Sequence, residues 1–193
     1  MVKEVSYFTD GSIVRFHNQD PEKGAFGFVV LAEDYLIQNS FVAYAYPDNH
    51  YLECLGIGAA LSDILRQPNN TRYAIYTDSD TAYMRIKEYL ENKKVHWIKK
   101  ANKNLFLYEA IQTANLIESL VSLKYDLHIF CIKSHCNDTR EQRDYLFRQG
   151  IVITKSEALF INRGNRLVDR LVNNTATFLD AYSMISHIER NIY

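Results

Sequence analysis

The order of its apolar patterns limits this chain more than any other feature. Residues 2–9 are apolar and β-favouring, and two similar runs follow at 25–32 and 35–46, with only Glu33-Asp34 between those two. Runs so close in sequence pair as antiparallel neighbours, so three strands in series are expected. Asp10-Gly11-Ser12 is a turn signal that should end the first of them. After Pro47 the period changes. Leu52, Leu55, Ala59 and Ile64 recur at helical spacing in a segment capped by Asp48 or Asn49 and ending near Arg66. A short strand at 72–77 then leads into a helix at 79–91. A helix at 104–123, with Leu105, Tyr108, Ile111 and Leu116 as its buried side, leads to a strand at 127–133. The last helix opens near Asn165 and covers at least 166–179. Strands joined through helices lie parallel. The expected fold class is α/β, with a five-stranded mixed sheet (three antiparallel strands, then parallel ones) flanked by helices.

Composition enters by what it excludes. The 193 residues are 47% hydrophobic and 23% charged, which suits one globular domain over 1–193 rather than a disordered or fibrous chain. No apolar run approaches the roughly 20 residues that span a bilayer, so no membrane partner is expected. Met1-Val2-Lys3-Glu4-Val5 lacks the apolar stretch of a signal peptide. Cys54, Cys131 and Cys136 make an odd set without Cys-x-x-Cys, which argues against a disulfide framework or structural zinc and for a reducing, cytoplasmic setting. The net charge of −1 does not by itself suggest a nucleic-acid binder. The distribution of charge matters more, and lysines gather around Trp97, from Lys93-Lys94 through Lys99-Lys100 to Lys103.

Four acids stand where chemistry is possible. Asp10 ends the first strand and Asp78 the fourth, so adjacent parallel strands would bring both out at one sheet edge, where ligand sites of open α/β sheets lie. Glu53 falls in the first turns of the helix after the third strand, and Asp169 shares a helical face with Asn165. Taken singly, each is an ordinary turn, cap or surface residue, and Asp78 could simply cap the helix opening at Ser79. Together they would repel one another unless a divalent cation neutralised them. Oxygen-only ligands suit Mg²⁺ or Mn²⁺, and a pair of such ions can serve phosphodiester hydrolysis.

Five segments in order carry a resemblance. Tyr7-Phe8-Thr9-Asp10-Gly11-Ser12, Asn49-His50-Tyr51-Leu52-Glu53-Cys54 followed by Ala59-Ala60-Leu61, Ile75-Tyr76-Thr77-Asp78-Ser79, Ile132-Lys133-Ser134-His135, and Gly164-Asn165 through Asp169 to Leu171 resemble the motifs of type 1 ribonucleases H. The resemblance implies a ribonuclease H-like fold and an endonuclease that cuts the RNA strand of RNA–DNA hybrids, leaving 3′-hydroxyl and 5′-phosphate ends. It implies that Asp10, Glu53, Asp78 and Asp169 hold two Mg²⁺ ions, with Mn²⁺ able to substitute. His135 would assist proton transfer or product release, a role suited to a side chain that titrates near neutrality. Asn49 would contact the hybrid near the RNA 2′-hydroxyl. Ser12, Trp97, Lys99 and Lys100 complete the expected substrate-binding set, in a chain expected to act as a monomer.

Three departures accompany the resemblance, one of them His50 in place of a frequent second asparagine. Many more residues separate His135 from Asp169 than in the family, so 137–163 reads as an insertion beside the active site, with a short helix from Asp138 and a possible strand at 150–154. Asp80 also stands where many relatives carry a neutral residue that touches nucleic acid, and an extra acid there would repel a phosphate or join a metal's outer shell. Two alternatives stay open: a nuclease of the same fold acting on DNA, and a non-catalytic nucleic-acid-binding module.

Overall fold

The computed structural model describes residues 4–14, 23–32, 35–44, 49–93 and 102–190. Strands β1 (Glu4–Val14), β2 (Lys23–Ala32) and β3 (Tyr35–Tyr44) come first. They are followed by α1 (Asn49–Ile64), β4 (Arg72–Thr77), α2 (Asp80–Asn92), α3 (Asn102–Ser122), β5 (Asp126–Cys131), α4 (Thr139–Phe147) and α5 (Lys155–Arg190). The sheet order is β3-β2-β1-β4-β5. β2 is antiparallel to both its neighbours, whereas β1, β4 and β5 run parallel, as the connections through helices require.

Alternation along the strands builds two cores, one on each face of the sheet. Val5 and Tyr7 of β1, Phe28 and Val30 of β2, and Tyr73 and Ile75 of β4 pack with Ile57 and Leu61 of α1 and Leu107 and Ala114 of α3. The intervening residues Phe8, Ala25 and Val29 point the other way and pack with Ile161, Val168 and Val172 of α5 and Leu146 of α4. Each large apolar side chain so enclosed contributes roughly 1.5–3 kcal/mol. A sheet covered on both faces leaves its strand ends as the place for a site.

The turn expected at Asp10-Gly11-Ser12 does not form. β1 continues to Val14, with Gly11 opposite Phe26 and Ser12 opposite Ala25. Gly11 serves a close approach instead. A Cβ there would lie 2.5 Å from the Leu52 carbonyl carbon and 2.6 Å from the Glu53 nitrogen. Gly56 makes the reciprocal approach, since its Cβ would lie 2.9 Å from the Asp10 carbonyl oxygen. The pair of glycines lets α1 lie directly on β1 and carries Glu53 to Asp10.

Three other expectations change. The buried face of α3 is Phe106, Leu107, Ala110, Ala114, Ile117 and Leu120, while Tyr108 is exposed and Ile111 and Leu116 are only half-buried. The buried stripe is rotated from the expected one and includes two small residues, Ala110 and Ala114, beside its large ones. Residues 151–154 form no strand. Ile151 and Ile153 turn onto the α5 core and Val152 outward, an alternation with no strand to pair against. Finally, α5 starts at Lys155, well before Asn165, because Thr154 and Glu157 cap it reciprocally. The Glu157 amide donates to Thr154 Oγ1 at 3.2 Å, and the Thr154 amide donates to Glu157 Oε2 at 2.6 Å. Trp97, Lys99 and Lys100 lie outside the described residues, as does Asp48.

Candidate active site

The register between β1 and β4 sets the site. Thr9 is opposite Thr77 in the last pair of the ladder, so Asp10, within β1, and Asp78, just past β4, emerge side by side where the two parallel strands part. Asp78 is not the cap of α2. That role belongs to Ser79, whose Oγ accepts from the Ala82 amide at 3.3 Å. Glu53 arrives from α1, held down by the two glycines, and is 5% exposed. Carboxylate oxygens of Asp10, Glu53 and Asp78 all lie within 4.8 Å of one another.

Little in the chain offsets that concentration of charge. Asp10 Oδ1 accepts from the Gly11 amide at 2.8 Å, and Asp78 Oδ2 accepts from Asn165 Nδ2 at 3.1 Å. Glu53 Oε2 is buried with no hydrogen-bond partner. Burial, followed by the charges of Asp78 and Asp169, pushes the Asp10 carboxyl up to about 8. Burial, and then Asp10 and Asp78, raises Glu53 well above the usual carboxylate range. Oxygen donors packed this closely, one with an orphaned buried oxygen, fit a hard divalent cation such as Mg²⁺ or Mn²⁺.

The trio lies in an open cavity of about 410 Å³ that also collects Ser12, Asn49, His50, Asp80, His135 and Asp169. The structure thus brings together seven of the sequence-expected site residues: Asp10, Glu53, Asp78, Asp169, His135, Asn49 and Ser12. Asp169 lines the cavity from α5 but stands outside the tight trio, its Oδ1 accepting from Asn173 Nδ2 at 2.8 Å. Asn173 Oδ1 in turn accepts from Ser12 Oγ at 2.8 Å, so the Ser12 hydroxyl is tied to α5. His135 occupies the loop after β5 with φ 47°, in the left-handed region.

Asn173 is the site residue that the sequence motifs missed. Its signal was the spacing Asn165, Asp169, Asn173, which puts three polar side chains on one face of an otherwise apolar-backed helix. That face fastens α5 to Asp78, to Asp169 itself and to Ser12.

Against this geometry, comparison with known proteins is decisive at the level of family. The RNase H family model matches residues 2–152. The chain belongs to the RNase H family. The match takes in Asp10, Glu53 and Asp78 and stops before Asp169, whose place at the site comes from the fold. The RNase H domain of prototype foamy virus superposes with a TM-score of 0.58 at 18% identity, covering 92% of this chain and 97% of that one. The N-terminal RNase H domain of a Mycobacterium tuberculosis protein superposes at 0.51 with 15% identity, covering 94% and 99%. A foamy viral protease–reverse transcriptase in complex with an RNA/DNA hybrid gives 0.53 at 18% identity over 90% of this chain, which spans only 20% of that protein. These likenesses establish a shared RNase H fold. No curated protein matches the chain by sequence. No helix among the described residues is long and apolar enough to cross a membrane.

Proposed function

We propose that this RNase H-family chain is a divalent-metal-dependent endonuclease that hydrolyses the RNA strand of RNA–DNA hybrids, leaving 3′-hydroxyl and 5′-phosphate ends. The observation that carries the proposal is the close carboxylate trio where the β1–β4 pairing ends, with its buried, unpartnered Glu53 oxygen. Family membership and the fold shared with a hybrid-bound reverse transcriptase support this substrate class.

Asp10, Glu53 and Asp78 would hold the metal, with Asp169 as the fourth carboxylate, and the cofactor is two Mg²⁺ ions, replaceable by Mn²⁺. Bound there, divalent ions supply a hydrolytic water at neutral pH and charge stabilisation for the leaving oxygen. The chain's own groups do the rest. Asn49, at the exposed start of α1, offers its amide to the RNA strand, where a 2′-hydroxyl distinguishes RNA from DNA. His135, which lines the cavity, would assist proton transfer or product release. Ser12 borders the substrate path, and Trp97, Lys99 and Lys100 are proposed to grip the DNA strand, making binding salt-dependent. All three cysteines are buried thiols, which suits a monomer working in the cytoplasm. We take 1–193 as one domain in which 137–163, the insertion read from the sequence, carries α4 and the first turns of α5.

A substrate panel tests this. Labelled RNA–DNA hybrid, double-stranded RNA and duplex DNA are offered side by side with Mg²⁺. Cleavage confined to the RNA of the hybrid is expected. Cleavage of duplex DNA with the hybrid left intact would replace this function with a DNA-directed one.

A further inference from the structure

Two features that the sequence left without a role, Asp80 and the 137–163 segment, meet in the structure. Asp80 is the first residue of α2, exposed, and lines the acidic cavity beside Asp78. Its carboxylate does not stand free. Tyr145 of α4 donates its hydroxyl to Asp80 Oδ1, and the Cys131 thiol at the end of β5 donates to the same oxygen at 3.0 Å. Tyr145 Oη and Cys131 Sγ are themselves 3.6 Å apart, so the three groups close a triangle. Burial raises Cys131 to about 12 and raises the Tyr145 phenol further, so both groups remain protonated donors throughout the working pH range.

The triangle is braced from α4. Leu146, next to Tyr145, is buried in the α5 core, and Gln149 Nε2 donates to the Cys131 carbonyl at 3.1 Å. The Arg148 guanidinium lies over the Tyr145 ring, 5.8 Å from its centroid. α4 is therefore fixed to both the core and β5, and it presents one phenol to the rim of the acidic cavity. A phosphodiester entering that cavity already meets a trio of carboxylates. With Asp169 already the fourth carboxylate of the cavity, a fifth acid on the rim, free to turn inward, would repel the phosphate and compete for the same cation.

We propose that Tyr145 is a positioning residue that, with Cys131, holds the Asp80 carboxylate on the α4 side of the cavity rim and so keeps its charge away from both the incoming phosphodiester and the metal-binding trio. This rests on reading the cavity as the phosphodiester site. The 137–163 segment thereby acquires a definite role, because α4 brings in the hydroxyl that disarms an acid at the mouth of the site.

The test uses the full chain with Tyr145→Phe, Asp80→Asn and the double variant. Phe keeps the ring and its Arg148 contact and removes only the hydroxyl. Tyr145→Phe should raise KM for the hybrid about tenfold, the effect of losing one hydrogen bond to a charged group, with kcat within about twofold. It should also tighten Mn²⁺ binding about threefold by calorimetry without nucleic acid, because the released carboxylate can turn toward the trio. Asp80→Asn in the Tyr145→Phe background should restore both quantities to those of the unaltered chain. A Tyr145→Phe effect that persists in the double variant means a purely structural phenol and overturns the proposal, as does a Tyr145→Phe variant unchanged in both readouts. If the unaltered chain fails to cut hybrid, the proposed function fails, and the Mn²⁺ affinities still decide the role of Tyr145.

Discussion

Replacing Asp10 by Asn should make the metal-free chain more stable, an inversion of what deleting a native carboxylate usually does. Asp10 is 9% exposed and is pushed up to about 8, first by burial and then by the charges of Asp78 and Asp169. A carboxyl raised in the folded state keeps a proton that the unfolded chain has released. Its contribution is therefore intact below about pH 4 and is lost as the pH rises through about 8. At pH 7 the penalty is at most about 4 kcal/mol, taking about 1.36 kcal/mol per pH unit between the unfolded and folded values. Asn has the same shape, and its Oδ1 can still accept from the Gly11 amide. Recovering about half of the penalty would raise Tm by roughly 4–8 °C for a chain of this size. Thermal melts in a chelating buffer at pH 5, 6, 7 and 8 measure it. The gap between Asp10→Asn and the parent should widen with pH, and added Mg²⁺ or Mn²⁺ should stabilise the parent far more than the variant. A variant less stable than the parent at pH 8 without metal, or a gap independent of pH, would refute the electrostatic account of the site.

Two further outcomes follow from the helix that closes the site. Asn173→Ala frees Asp169 and Ser12, so kcat on hybrid should fall about tenfold while Tm, set by exposed hydrogen bonds, moves by no more than about 3 °C; steady-state kinetics beside a melt checks both. Thr154→Ala removes half of the reciprocal cap of α5 and should cost about 1 kcal/mol in a denaturant titration with cleavage unchanged, because Thr154 lies away from the cavity.

Strand directions were legible because they depend on local pattern and connections, and the carboxylates' convergence was legible on the condition that the first and fourth strands are neighbours. Three consecutive β-favouring runs can only pair as a meander, and acids at the ends of parallel strands must share an edge once those strands are neighbours. What escaped depended on contacts between distant segments. Gly11 resembles a turn glycine until α1 is laid across it, and only then is its missing Cβ seen to make room for Leu52 and Glu53. The buried side of α3 includes Ala110 and Ala114 beside Phe106, Leu107, Ile117 and Leu120, and the small size of the two alanines matters only once α1 is packed against the helix. Tyr145 and Asp80 are 65 residues apart, and no periodicity relates them. The start of α5 is a different case. Thr154-Lys155-Ser156-Glu157 is a capping box readable from the sequence, but the apolar alternation just before it suggested a strand.

Whether the carboxylate trio is a cation site that cuts the RNA of a hybrid is decided by a single titration. Mg²⁺ is added from zero to the full chain with a hybrid labelled on its RNA strand, in parallel with Asp78→Asn, and the product ends are analysed. No cleavage is expected without Mg²⁺, and cleavage to 5′-phosphate and 3′-hydroxyl ends is expected with it. The Asp78→Asn chain should be folded but inactive. RNA cleavage that persists in chelator, or full activity in Asp78→Asn, would contradict a metal-dependent site built on these carboxylates.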